Sequence, residues 1–385
     1  MKNVFMKSIV KILFIAFVFS LCCCSQKGDG SVSIEEVNGN KMAVFSLNNL
    51  KSDITTVLLS SLVEDCSMVQ LETNDDAFFI PWFTTVTDKY IGIRQQEGRP
   101  YMLFSRSGKF IGSVGSLGQG PGEYSFSLYD DIIDEENELI YLAPFTSDKI
   151  LVYNTSGRFL KNIVAPQRLN KPKIFLSNNV LTVIHMPFSN DKVMAIQFDV
   201  NTGNILKEFA PPEHFIVSNY DGEIFNTRNV QGAFDFTHTG SDTLYQFNVE
   251  ENAIIPLFTM TFNSSEKPYK QYYVLNDHVV LTNVLGKGLV ATDLKNMTSS
   301  YINVVNDYYG NMPAPTYIVQ LRNGYWVHNI QPEQLMDDIE SYLSNSRLTE
   351  KDKQSLNNTL SSLKENTNNV VFVGKLRKEI KMKRD

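Results

Sequence analysis

The feature that most constrains this chain is a repeat. A strand-like segment ends in an aromatic residue, a turn follows, and a second strand-like segment leaves. One copy reads Tyr101-Met102-Leu103-Phe104, then Ser107-Gly108-Lys109-Phe110-Ile111. The next reads Ile150-Leu151-Val152-Tyr153, then Ser156-Gly157-Arg158-Phe159-Leu160. A third runs Ile196-Gln197-Phe198, then Thr202-Gly203-Asn204-Ile205-Leu206, and a fourth Leu244-Tyr245-Gln246-Phe247, then Glu251-Asn252-Ala253-Ile254. A weaker fifth has Leu289-Val290-Ala291-Thr292-Asp293 before Lys295-Asn296-Met297. The turns fall at 108, 157, 203, 252 and about 296, spacings of 49, 46, 49 and about 44 residues. Gly or Asn at these sites suits a hairpin turn that needs positive φ. The Val, Ile, Phe and Tyr around them suit paired strands. Asp148, Asp191 and Asp242 precede the repeating strand, where an Asx-type turn is expected.

A period in the forties built from several strands is that of a propeller blade. A β-helix needs shorter repeats, and a β-sandwich does not repeat. Residues 67–376 hold six such units plus one insertion. Seven blades would leave too little chain for each. The expected fold is therefore all-β, a six-bladed β-propeller over 41–378. The insertion, at about 332–366, reads as a helical hairpin in the last blade. Leu335, Met336, Ile339, Tyr342 and Leu343 lie on one helical face, as do Leu356, Leu360 and Leu363. Pro332 suits a first helical turn, and Thr349 with Asp352 resembles a capping pair. A closed ring must place both chain ends in one blade, since otherwise two sheet edges stay open. Met42–Leu47 or Met68–Leu71 can supply the strand beside 370–376.

The N-terminus carries a different signal. Lys2, Lys7 and Lys11 precede an apolar run over 12–19, which is too short to span a bilayer alone. Leu21-Cys22-Cys23-Cys24-Ser25 resembles a bacterial lipobox, a register that selects Cys24 for lipidation after removal of residues 1–23. Residues 24–40 then read as a flexible tether, and 379–385 as a basic tail. Without the leader the formal charge of −7 becomes −10, which argues against nucleic acid as the main partner. Cys66 is then the single thiol outside the leader and lipidation site, so no disulfide framework is available. His185, His214, His238, His278 and His328 are scattered with no ligand spacing, and no metal or cofactor is expected.

Three segments carry a family resemblance: Val69-Gln70-Leu71-Glu72-Thr73, Gly118-Gln119-Gly120-Pro121-Gly122-Glu123-Tyr124, and Ser241-Asp242-Thr243-Leu244-Tyr245. In these, and over residues 45–378 in general, the chain resembles the six-bladed β-propeller lipoproteins of Bacteroides and relatives, and is broadly similar to NHL/TolB-like propellers. The resemblance implies a place in the cell envelope, as an outer-membrane lipoprotein on the periplasmic side or the cell surface. It implies no defined activity.

Candidate sites are few. Gly118, Gly120, Pro121 and Gly122 lack the Lys-Ser/Thr and the following helix of a phosphate loop, so they read as a structural crossing between blades 1 and 2. Glu123, Tyr124 and Trp82 are the residues expected to reach a ligand at the ring face. The acid pairs Asp75-Asp76, Asp130-Asp131 and Asp337-Asp338 are adjacent in sequence. On a strand such neighbours point to opposite faces and do not form a glycosidase pair by themselves. The sequence thus supports a membrane-tethered binding module for a glycan, a peptide or an envelope protein. A hydrolase or lyase with its site at the central channel is the alternative.

Overall fold

The computed structural model describes residues 28–226, 234–263, 268–314, 320–344 and 347–380. Six antiparallel sheets form a six-bladed β-propeller. Blade 1 spans 81–114, blade 2 128–170, blade 3 173–209, blade 4 224–261 and blade 5 270–306. Blade 6 takes three strands from 320–375 and its fourth from the N-terminal part of the chain. The first strands of blades 6, 1, 2, 3 and 4 touch one another in succession, so they line the axis.

The sequence repeat is the hairpin between the third and fourth strands of a blade. Gly108, Gly157 and Gly203 hold φ of 88°, 81° and 75° at its turn, and Asn252 and Met297 hold 52° and 54°. The aromatic residue before each of the first four turns (Phe104, Tyr153, Phe198, Phe247) is buried. Burying such a side chain is worth about 1.5–3 kcal/mol, whereas a left-handed non-Gly residue costs about 1–2 kcal/mol. Burial therefore holds the hairpin, and the turn residue selects its register.

The N-terminal segment runs along the outer edge of three blades. Strand β1 (Val32–Val37) pairs with β2 (Asn40–Ser46), and β2 lies parallel to the outermost strand of blade 4, with Ala43 opposite Phe258. Strand β3 (Ile54–Leu58) lies parallel to the outermost strand of blade 5, with Val57 opposite Val304. Strand β4 (Ser67–Gln70) closes the ring: Val69 pairs with Val371 and Gln70 with Val370, antiparallel. Of the two candidates for the closing strand the structure uses 67–70, and 42–47 covers the edge of blade 4 instead. Part of the stretch read as a tether, 32–37, is thus paired strand. Cys24 and the leader lie outside the described residues, as do residues 381–385 of the basic tail.

The insertion is helical, as its periodicity predicts. Helix α1 (Pro332–Leu343) opens on Pro332, and α2 (Glu350–Ser362) carries a complete capping box between Thr349 and Asp352. Both lie between the second and third strands of blade 6. Their apolar residues, including Leu335, Ile339, Leu356 and Leu363, join the cluster that fills the space between blades 5 and 6. Cys66 is partly buried beside this cluster, and burial pushes its thiol up to about 12. Among the described residues no helix is long and apolar enough to cross a membrane.

Two truncations test the edge-covering role of the N-terminal segment. Removing residues up to 50 exposes the blade 4 edge and takes Val32, Ala43, Phe45 and Leu47 out of the cluster between blades 4 and 5, and the protein should still unfold in one cooperative transition at a lower temperature. Removing residues up to 71 leaves blade 6 without its fourth strand, and cooperative unfolding followed by circular dichroism should be lost.

Candidate functional site

The axis between the first strands is occupied by charge. Asp130 and Asp131 lie on the first strand of blade 2 (Leu128–Asp134), where a register shift between Leu128 and Asp130 marks a bulge at Tyr129. Asp130 accepts from Arg322 Nη1 of blade 6 at 2.6 Å and from the Ile174 N–H of blade 3 at 2.8 Å. Asp131 faces blade 1, with Arg94 Nε at 3.2 Å and the Tyr101 hydroxyl donating at 3.0 Å. Arg322 Nη2 also donates to the Asp131 carbonyl at 3.1 Å, and Arg94 Nη1 donates to the Tyr129 carbonyl. As expected for strand neighbours, the two carboxylates serve different partners. They fasten blade 2 to blades 1, 3 and 6.

Burial alone would raise the Asp130 carboxyl, but Arg322, Lys173, Arg94 and the Ile174 N–H together hold it below the usual range. Lys173 feels the opposite balance. Burial lowers it most and the two arginines lower it further, so despite Asp130 it falls to about 8. Its Nζ sits 4.2 Å from the centre of the Tyr129 ring. Nearby, Lys171 pairs with Glu223 at 2.8 Å and donates to the carbonyls of Tyr220 and Gly222. The Tyr129 hydroxyl donates to Glu223. The group holds four cations (Arg94, Arg322, Lys171, Lys173) against three carboxylates (Asp130, Asp131, Glu223).

Above this charge runs a row of aromatic rings. In an antiparallel blade the starts of the first and third strands emerge at the same end, so residues there share one face of the ring. Trp82 starts blade 1, and Phe126 and Tyr129 lie at the start of blade 2. Phe145 and Phe188 precede the third strands of blades 2 and 3, and Tyr220 precedes blade 4. Their ring centres follow in sequence: Trp82 to Tyr129 5.6 Å, Tyr129 to Phe145 5.2 Å, Phe145 to Tyr220 5.9 Å, and Tyr220 to Phe188 4.7 Å, nearly parallel. Phe126 branches from Phe145 at 5.3 Å. Lys171 lies against the Phe145 and Tyr220 rings, and Arg94 against Trp82. Trp82, Tyr220 and Phe126 keep 41%, 47% and 58% of their surface exposed, Phe145 and Phe188 are half-buried, and Tyr129 is buried beneath them, so the row reaches solvent at Trp82, Phe126 and Tyr220.

Of the residues singled out from sequence, Trp82 falls at the end of this row. Glu123 is turned into its own loop, where its carboxylate accepts from the Gly120 N–H at 2.7 Å. Tyr124 is buried, and its hydroxyl donates to the Arg99 carbonyl at 2.9 Å. Gly118, Gly120, Pro121 and Gly122 form the crossing from blade 1 to blade 2. Gly122 has φ of 76° and lies so close to Phe159 that a Cβ would overlap the ring, and Tyr153 donates to its carbonyl. Asp242 joins blades 4 and 5 by pairing with Lys270, and its carbonyl accepts from Tyr272 at 2.8 Å. Asp148 is not a strand-opening turn residue. It is exposed at a register shift inside the strand Thr146–Asn154. Sequence reasoning passed over Arg94, Arg322, Lys171, Lys173 and Tyr220. The available signal was a charge inside an apolar strand segment, as in Ile91-Gly92-Ile93-Arg94 and Leu128-Tyr129-Asp130-Asp131-Ile132.

A protein-family profile described as a domain of unknown function, DUF4934, matches residues 42–375. The chain belongs to this family. No curated protein matches it. Among solved structures, a Bacteroides fragilis protein described as exported is similar over 87% of this chain and 99% of its own, with 15% identity and a TM-score of 0.60. A member of the DUF4221 family from Bacteroides vulgatus has 12% identity over 82% of this chain and 98% of its own, with a TM-score of 0.47. The first of these shares the fold. The DUF4934 match covers the ring from β2 to the last strand of blade 6, and so includes every residue of the axial charge group and of the aromatic row.

Replacing Arg322 with methionine tests the axial network. It leaves Asp130 buried without its closest cation, which should cost about 3–5 kcal/mol at pH 7. Asp130 sits below its unfolded value of ~3.9, so its ionised form supports the native state at neutral pH, and that support is lost as pH falls through the depressed value. Without Arg322 the carboxyl protonates more readily. The stability gap between variant and wild type, measured by urea unfolding, should therefore shrink between pH 7 and pH 4.

Proposed function

We propose that the protein is an exported, lipid-tethered binding module that takes a glycan on the aromatic face of the ring. The observation that carries this reading is the row of rings from Trp82 to Phe188, exposed at Trp82, Phe126 and Tyr220 and held from below by the buried Tyr129 ring and ion-paired groups. The exposed Trp82, Phe126 and Tyr220 rings, fixed by edge-to-face neighbours at 5–6 Å, offer stacking platforms to the C–H faces of sugar rings. The cations beneath them attract hydroxyl and carboxylate oxygens. The axial carboxylates are bound to arginines or to a lysine, an arrangement suited to holding the floor rigid. A propeller by itself does not choose among functions, so the site must do so.

Export and tethering rest on the leader, on the lipobox register at Cys24, and on the likeness to a protein described as exported. Replacing Cys24 with alanine should move the protein from the membrane fraction to the soluble one and remove acyl mass from the N-terminal peptide. Modification found instead on Cys22 or Cys23 would refute that register.

The ligand reading is tested with the soluble body, residues 28–385, on a glycan array followed by calorimetry on the best binder. Trp82→Ala and Tyr220→Ala should each weaken binding at least tenfold, about 1.4 kcal/mol, with little change in melting temperature. Absence of any glycan binding, together with a stoichiometric protein partner recovered from membranes, would replace the glycan by a protein ligand.

A further inference from the structure

A cavity of about 610 Å³ lies between the helical hairpin and the facing sides of blades 5 and 6, well away from the aromatic row. This is within the ~300–1,000 Å³ typical of small-molecule sites. Its wall is mainly apolar, with Trp326 and Phe372 from blade 6, Leu335 and Ile339 from α1, Leu356 from α2, and Met312 after blade 5. A hairpin packed only for stability would close such a space, because side chains facing a void lose contacts on one side.

Among the polar side chains on the wall, two carry the argument. His328 and Asn306 are each more than nine-tenths buried, and both line the cavity. His328 Nε2 has no hydrogen-bond partner, and neither has Asn306 Oδ1, although the Asn306 side chain also lies against the Cys66 thiol. A buried polar atom left unpaired is unfavourable. His328 is flanked by Trp326 and Phe372, its ring nearly parallel to Phe372 at 5.9 Å. Burial pushes its imidazole down to about 4, so it is uncharged at neutral pH.

We propose that this cavity binds an uncharged, mainly apolar molecule that carries a hydroxyl group. Asn306 Oδ1 can only accept a hydrogen bond, and Nε2 of a neutral imidazole accepts or donates according to tautomer. A hydroxyl does both, so it satisfies either atom. Charged ligands fit poorly. Among the described residues no Lys or Arg lines the cavity to receive an anion, and the Asp338 carboxylate on the wall repels one. A cation would lose its hydration against an apolar wall while Asp338 already accepts from Gln334 at 2.8 Å. The site shares no residue with the aromatic row, so it stands or falls independently of the glycan reading.

The probes are 1-naphthol and naphthalene, which differ by one hydroxyl, with 1-naphthoate as the charged comparison. Calorimetry on the soluble body should show naphthol binding about tenfold more tightly than naphthalene, and naphthoate more weakly than either. In the double variant Asn306→Leu, His328→Phe the preference for naphthol over naphthalene should vanish while naphthalene binding persists. Should that variant unfold, Ser341→Trp decides the matter. Ser341 is exposed and lines the cavity, so the indole can obstruct it from the surface, and both neutral probes should weaken at least tenfold. Equal binding of naphthol and naphthalene by the wild type, no binding of either, or unchanged binding in Ser341→Trp would each overturn the proposal.

Discussion

Two carboxylates sit where six converging strands leave least room for water, and the blades around them are arranged to pair them with cations. Asp130 and Asp131 draw Arg322 from blade 6, Arg94 and Tyr101 from blade 1, and a backbone N–H from blade 3. Replacing such a network with apolar side chains of equal volume can be neutral or better for stability, so its existence is weak support for a purely structural role. What it supplies is direction. Each charge fits only one set of partners, so the network fixes how four blades are rotated about the axis. The buried Tyr129 ring and the exposed Trp82 ring pack against this arrangement, and their positions follow from it.

The parts of the fold that were legible in sequence are those where local physics and tertiary context agree. The hairpin turns at Gly108, Gly157 and Gly203 need positive φ, and the aromatic residues before them need burial, so both leave marks at fixed spacing. The helical face of Leu335, Met336 and Ile339 is equally local. The edge strands were harder. Met42–Leu47 and Met68–Leu71 are both short apolar strands, and nothing within them says which outermost strand each will meet. Trp82 could be singled out because tryptophan is rare and lies near a strand start. The charged axis could not be assembled, because Arg94, Asp130, Lys173 and Arg322 come from four repeats that only the closed ring brings together.

The ring face and the hairpin cavity follow opposite polar logic. At the axis almost every buried charge has a partner, and the exposed groups are aromatic. In the cavity the wall is apolar and closed on several sides, and the polar atoms are the ones left over. One arrangement suits an extended ligand lying across a surface, and the other a compact ligand that enters. A propeller accommodates both because its blades diverge outward, and an insertion between two strands can roof the widening gap without disturbing the axis.

The path of the N-terminal segment also bears on how the chain reaches its native state. Ala43, Thr55 and Val69 pair with Phe258, Ile302 and Val371, each more than two hundred positions downstream. Such distant pairings are slow to form, because loop entropy is lost before any contact rewards it. A chain emerging from its N-terminus would hold β3, β4 and the outer edge of the β1–β2 hairpin unpaired until blades 4, 5 and 6 exist, and would secure them in the order β2, β3, β4. These strands are then aggregation-prone edges for most of synthesis, and they become the last seal once the ring is complete.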